Sequence, residues 1–261
     1  MKQDPANQNI PRMTFGNLSG VPGLAHGVFT RHGGVSLPPY ESLNVSWSNG
    51  DSPEAVAENL RRIKKTSGLE SLVSSRQVHG DWLNFIDTES AGKLEPRAQA
   101  LIAPPGDALA TNLIGLGLVI KIADCQSILL VDPQSRIIAN IHSGWRGSIR
   151  DIAGKTVRYL EERFGLNPKR TLAAVSPSLG PCCAEFINYR NEIPEQFWSY
   201  QVRPEYFDFW AITRDQLKAA GIAEHNMEFA QKCTVCGKAQ FFSYRGEGPT
   251  GRMASVIGWK S

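Results

Sequence analysis

The chain has 261 residues, 41% of them hydrophobic and 20% charged, with 28 Lys+Arg against 25 Asp+Glu for a net charge of +3. This is the composition of a soluble globular protein long enough to bury its own core; it excludes wholesale disorder, and so small a positive excess argues for neither nucleic acid nor an anionic membrane as a partner. No stretch approaches the ~20 apolar residues of a membrane span, the N-terminus lacks an apolar signal core, and five cysteines read as free or metal-bound thiols in a reducing, cytoplasmic compartment.

Residues 1–12 are polar with two prolines and are expected to form a loose tail before a single domain over 13–261. LAHGVFT (24–30) reads as a strand, and RHGGVSLPPY (31–40) as a shaped loop rich in Gly and Pro. Asp51-Ser52-Pro53 announces a helix, with a polar cap and Pro in the first turn, and Val56, Leu60 and Ile63 give it one buried stripe. Arg61, Arg62, Lys64 and Lys65 on that helix are expected to form a solvated outer face. GLVIKIA (117–123) and SILLVD (127–132) are nearly continuous apolar runs, as in strands buried on both faces, and IIANIHS (137–143) returns after a turn at Pro133-Gln134. A helix is expected from about 148 to 164, a strand at TLAAVS (171–176), mostly helix over 189–221, and strands at QFFSY (240–244) and MASVIGW (253–259). Strands that follow one another without a helix between them argue for one α+β domain rather than a doubly wound parallel sheet.

Three segments set a metal-capable side chain in unusual local sequence: RQVHGDW (76–82, His79), IADCQSILL (122–130, Cys125) and NIHSGWRG (140–147, His142). If the second and third pair around a two-residue turn at Pro133-Gln134, Cys125 faces His142 across the strands, with Cβ atoms about 5 Å apart. That separation suits a shared ion, since Zn–S is about 2.3 Å and Zn–N about 2.1 Å. A longer turn would move the register, and a slip of one residue would turn one ligand away. Two imidazoles and one thiolate match a catalytic zinc site with an open position. The plainer reading also stands at this point: a Cys at a strand end is ordinarily a small core residue, and no local spacing such as H-E-x-x-H ties these ligands together.

QVHG, ADC followed by ILLVDP, and HSGWRG together resemble the motifs of the YfiH-like family, formerly labelled multicopper polyphenol oxidase (laccase domain) and now regarded as purine nucleoside phosphorylases. FTRHGGVS (29–36), SLN (42–44), DSPEAVAENLRR (51–62), LGPCCAEF (179–186), CTVC (233–236) and FFSYRGEGPTGRMAS (241–255) agree in the same order. Ser143 and His32 depart from the family pattern, and neither is a proposed ligand. The resemblance implies a four-layer α/β/β/α sandwich with mixed sheets and one zinc on His79, Cys125 and His142. It also implies phosphorolysis of adenosine, inosine, guanosine and methylthioadenosine, with adenosine deamination.

For such chemistry Asp124, beside Cys125, is a candidate proton shuttle, although strand alternation points it to the opposite face unless the strand ends there. Arg31, Arg146 and Arg245 are candidate phosphate contacts, because guanidinium offers paired donors. Asn44 and Gln77 are candidates for a ribose hydroxyl or a base edge. The expected partners are small molecules, a purine nucleoside and phosphate; oligomeric state is not legible. Copper is a possible replacement for zinc, and a copper phenol oxidase is the alternative activity, but five histidines without an H-x-H pair are too few for a multicopper centre. A cytoplasmic hydrolase that edits peptidoglycan precursors is a further alternative, and a binding module without turnover another. Cys233-x-x-Cys236 is expected to be structural thiols, with the adjacent Cys182-Cys183 poorly spaced for chelation.

Overall fold

Alternation within single strands divides the core into layers. Leu129 and Val131 pack with Leu118, Ile120 and Ile122, whereas their chain neighbours Ile128 and Leu130 pack with Ile152, Val157, Leu160 and Leu217. Val119, between Leu118 and Ile120, joins a separate cluster with Val56, Leu60 and Ile63. Successive strand residues point to opposite faces, so each of these strands belongs to a sheet covered on both sides. The computed structural model describes residues 10–261 and shows two such sheets.

Among the described residues, the first sheet has seven strands in the spatial order Arg12–Met13, Leu24–Phe29, Met253–Trp259, Leu116–Ile122, Ser71–Ser75, Ala100–Ala103 and Glu95–Arg97. The second has six, in the order Met227–Phe229, Leu172–Val175, Gln126–Asp132, Ile137–Ser143, Ala108–Thr111 and Leu83–Ile86. Both are mixed: Leu116–Ile122 pairs antiparallel with Met253–Trp259 and parallel with Ser71–Ser75. The sheets pack face to face, the helix Pro53–Ser67 covers the outside of the first, and the helices Ile152–Phe164 and Phe209–Ala219 cover the second. This is the four-layer α/β/β/α sandwich. A buried polar knot crosses between the sheets, where Ser127 Oγ donates to Asn140 Oδ1 (2.7 Å) and Asn140 Nδ2 donates to the carbonyls of Leu118 (3.0 Å) and Ser255 (2.9 Å).

The helix over 53–67 begins as its sequence dictates: Ser52 Oγ accepts from Ala55 N, Pro53 fills the first turn, and Gly68 closes the helix at φ 65°. Elsewhere the structure corrects the sequence reading. The helix expected over 148–164 is two helices, Trp145–Ile149 and Ile152–Phe164, because Asp151 takes a left-handed φ of 57° and caps the second through Gly154 N. QFFSY is not a strand; Phe241 and Phe242 are buried between the sheets, and Ser243 then caps a single turn over Tyr244–Glu247. A short apolar run cannot distinguish a buried turn from a strand. The 189–221 region holds one full helix, Phe209–Ala219, preceded by single turns and a two-stranded ribbon, Gln201–Arg203 with Tyr206–Phe207. Of the expected tail, residues 1–9 lie outside the described residues, while Ile10 is buried and Arg12–Met13 is an edge strand. No described helix is long and apolar enough to cross a membrane.

Candidate metal centre and its pocket

The strands Gln126–Asp132 and Ile137–Ser143 do pair antiparallel, but Asp132 faces Ile137 and His142 faces Ser127. The connection is therefore the longer turn Pro133–Arg136, closed by Arg136 at φ 55°. The register differs by two residues from one set by a two-residue turn. Two is the side-chain period, so the slip leaves Cys125 on the same side as His142, diagonal to it rather than opposite. His79 arrives from a separate loop in a left-handed conformation, φ 57°. The donor atoms of His79, Cys125 and His142 all lie within 4.8 Å of one another, and the two imidazoles meet edge to face with centroids 4.9 Å apart.

One carboxylate that the sequence reading missed assembles this cluster. Asp107 is fully buried, and its oxygens accept the backbone N–H groups of Val78 (3.2 Å), His79 (2.9 Å) and Gly80 (2.8 Å). The same carboxylate takes Nδ1 of His142 at 2.8 Å, and its backbone carbonyl accepts His142 N at 2.6 Å. His142 is thus left with Nε2 for a cation, the carboxylate–histidine arrangement of metal sites. Burial works against the charge on Asp107, but these donors outweigh it and hold its pKa below the usual range. Burial pushes the Cys125 thiol up, yet His142 and His79 bring it down to about 6; His142, which burial alone would lower, is raised to about 9 by Cys125 and Asp107. The sulfur is held toward thiolate, the form that binds a soft cation. Gly144 completes the cluster sterically, because a Cβ there would stand 2.9 Å from Cys125 Sγ and 3.2 Å from His79 Cδ2.

The cluster opens into a cavity of about 490 Å³. Aromatic rings of Trp145, Phe186, Phe209 and Tyr244 line it, together with the cations Arg76, Lys121, Arg245 and Arg252. Burial draws the Lys121 amine down to about 8, and the amine donates to Ser74 Oγ and the Ser75 carbonyl, both at 2.8 Å. Of the candidate substrate contacts, Gln77 and Arg245 lie on this cavity. The Gln77 amide is committed to the backbone of Lys121, accepting its N–H at 2.9 Å and donating to its carbonyl at 2.8 Å. Asp124 also borders the cavity, at φ 83° just where the strand ends, and its carboxylate accepts from Thr234 Oγ1 (2.6 Å), Ser243 Oγ (2.6 Å) and Arg245 N (2.7 Å).

Three candidates lie elsewhere. Arg31 pairs with Glu247 at 2.8 Å and stacks over Phe242. Arg146 lies over the Trp145 ring at 4.3 Å. Asn44 is fully buried, donating to Asp51 (2.8 Å) and accepting Arg252 N (2.8 Å). The signals for what was missed were faint: Lys121 is the one charge in an apolar strand, Arg76 directly precedes QVHG, and Asp107 is an isolated acid ahead of an apolar run.

The remaining cysteines do not stand apart. Sulfurs of Cys182, Cys183, Cys233 and Cys236 gather within 4.8 Å of one another. The expectation that Cys182-Cys183 are poorly spaced for chelation is corrected by the turn they occupy, in which the N–H groups of Cys183 and Ala184 both reach the Gly180 carbonyl.

A family model described as multi-copper polyphenol oxidoreductase laccase matches residues 25–260. The chain is 33% identical over 248 residues to purine nucleoside phosphorylase YlmD of Geobacillus stearothermophilus, covering 90% of each chain, and 33% identical over 247 residues to purine nucleoside phosphorylase YfiH of Escherichia coli, covering 90% of this chain and 93% of that one. The crystal structure of YlmD from Geobacillus stearothermophilus superposes with a TM-score of 0.82 at 32% identity, over 92% of this chain and 93% of that one.

Proposed function

We propose that this chain, which belongs to the family described as multi-copper polyphenol oxidoreductase laccase, is a purine nucleoside phosphorylase that also deaminates adenosine, with zinc on His79, Cys125 and His142. The observation that carries the reading is the convergence of two imidazoles and a thiolate on one point beside a cavity lined by both aromatic rings and cations. The donor set fits a single zinc: two nitrogens and one sulfur, with His142 oriented by Asp107. When bound, the ion supplies a Lewis acid that polarises an oxygen set against it.

The chain's own groups account for the rest. A purine stacks on rings such as Trp145 and Tyr244, and phosphate is held by Arg76, Arg252 and Lys121, with Arg245 beside them. An oxygen of hydrogen phosphate attacks the anomeric carbon, the C–N glycosidic bond breaks with its electron pair passing to the purine, and the base leaves as it takes up the proton that the phosphate gives up. Ribose 1-phosphate and free base are the products. Deamination replaces the exocyclic amine of adenosine by water, releasing ammonia and inosine. Gln77 serves by holding the Lys121 strand, and Asn44 by aligning Arg252. Asp124 serves as an anchor, since three donors already occupy its carboxylate. Arg31 and Arg146 buttress the surrounding loop and Trp145.

The donor set holds one ion, so a copper centre would be mononuclear; copper competes for the same three ligands. The test is product analysis on zinc-loaded protein with adenosine, with and without phosphate. Adenine and ribose 1-phosphate appear only with phosphate, inosine appears in both reactions, and Cys125→Ala abolishes all three. A preparation that oxidises phenols or hydrolyses peptidoglycan precursors and leaves nucleosides untouched overturns the reading.

A further inference from the structure

A second cluster of donors lies outside the centre described above. Cys233, Cys236 and the adjacent pair Cys182-Cys183 bring four sulfurs together, and Sγ of Cys236 is 3.7 Å from that of Cys182 and 3.6 Å from that of Cys183. A tetrahedral ion with Zn–S bonds of about 2.3 Å requires sulfurs about 3.8 Å apart. A disulfide requires about 2.05 Å, and all four thiols are free. Both separations from Cys236 therefore stand near the edge length of such a tetrahedron, and all four sulfurs lie within 4.8 Å of one another.

The surrounding backbone holds the thiols in place. The C-x-x-C-G segment 233–237 folds into a turn closed by Gly237 N on the Cys233 carbonyl at 2.9 Å. Gly180 is required for the fit, because a Cβ there would stand 2.9 Å from Cys233 Cβ and 2.9 Å from the Trp210 ring. Two of the thiols, on Cys182 and Cys236, are exposed, so an ion has a direct route in.

We propose that Cys182, Cys183, Cys233 and Cys236 bind a second zinc ion as a closed, four-thiolate structural site. Soft thiolates select zinc, and a site with four protein ligands leaves no position for substrate. Its place in the fold gives it a task. Cys182 and Cys183 follow Ser178 and Leu179 and precede Phe186, whereas Cys236 precedes Tyr244 and Arg245, and all five of these residues line the cavity. The two segments already touch through Thr234 N on the Ser178 carbonyl (2.9 Å) and Arg245 on the Glu185 carbonyl (2.7 Å). An ion at the thiols locks them to each other, and with them one wall of the pocket. The proposal stands whatever reaction the pocket performs.

The experiment counts metal and reads its ligands. Protein purified under reducing, zinc-replete conditions is analysed by elemental mass spectrometry as wild type, Cys125→Ala and Cys233→Ser/Cys236→Ser. The expected contents are two, one and one equivalents per chain. Cobalt exchanged into wild type and Cys125→Ala gives the intense charge-transfer spectrum of a tetrathiolate, and Cys233→Ser/Cys236→Ser loses it. Because the double variant can fail to fold, folded wild type is also alkylated with iodoacetamide: zinc protects Cys182, Cys183, Cys233 and Cys236, and chelation exposes all four together. The proposal is overturned by a wild-type cobalt spectrum without the tetrathiolate signature, by alkylation at these thiols that ignores zinc, or by disulfides among them in freshly reduced protein.

Discussion

Asp107 and Gly144 shape the candidate centre as much as its three donor residues do. Asp107→Asn keeps the size of the side chain but removes the charge that orients His142 and gathers the 78–80 backbone. Zinc affinity is expected to fall by about 10–100-fold, read by competition against a chromophoric chelator. Gly144 has an ordinary φ of −78°, so alanine meets no backbone strain there. Its methyl would instead press on Cys125 Sγ and the His79 ring. Gly144→Ala is therefore expected to leave the far-ultraviolet circular dichroism unchanged and to weaken zinc binding by about 10-fold or more. Unaltered affinity in that variant would show that the ligands tolerate a wider spread than this packing implies. The three candidate ligands were legible in the sequence because His79, Cys125 and His142 each sit in a distinctive motif. Asp107 was not, since its partners come from residues 78–80 and 142 and no local spacing records the meeting.

At the level of elements, the strand Ile137–Ser143 carries both the sheet-to-sheet knot and the candidate ligand His142. Asn140→Ala removes the side chain that satisfies Leu118 O, Ser255 O and Ser127 Oγ in a place closed to water. The expected loss is about 2–4 kcal/mol in urea unfolding, far above that of a surface Asn→Ala. The same pair of strands shows how register was and was not readable. Apolar runs located both strands to within a residue, but turn length was taken from two residues and the chain used four. The face of Cys125 survived only because the difference was even. Where apolar pattern stood alone, as at Phe241 and Phe242, it found burial and mistook the element: burial is a property of position in the core, and both a strand and a turn supply it.

For the whole molecule, stability at low pH is tied to Asp132, which has no exposed side chain and anchors the turn linking the central strands. Burial raises its pKa, but Arg170, the Asn167 N–H, Ser135 and the Gln134 N–H together outweigh burial and hold it below the ordinary value. A carboxylate depressed in the folded state stabilises the fold fully above its unfolded pKa of about 3.9, and this contribution is lost as pH falls through the folded value. Asp132→Asn is accordingly expected to lower unfolding free energy by about 1–3 kcal/mol at neutral pH. The gap between variant and wild type then closes below about pH 4, measured by urea titration across the acid range. A gap that stays constant with pH would mean that the hydrogen bonds, and not the charge, do the anchoring.

Sequence alone was enough to find strands at 24–30, 117–123, 127–132, 137–143 and 253–259, each within a residue of the observed bounds, the start of the capped helix at Ser52-Pro53, and three residues able to hold a metal. Each is written in short-range pattern: alternation of apolar side chains, a Ser-Pro cap, a His or Cys among glycines and small residues. Tertiary structure alone decided that Asp107 lies under both histidines, that Lys121, Arg76 and Arg252 turn into one cavity while Arg31 turns away, and that Cys182-Cys183 meets Cys233 and Cys236. Those pairings join residues tens of positions apart in the chain. They are fixed by how two mixed sheets stack and which loops end at the same edge, and no periodicity in a linear sequence encodes that distance.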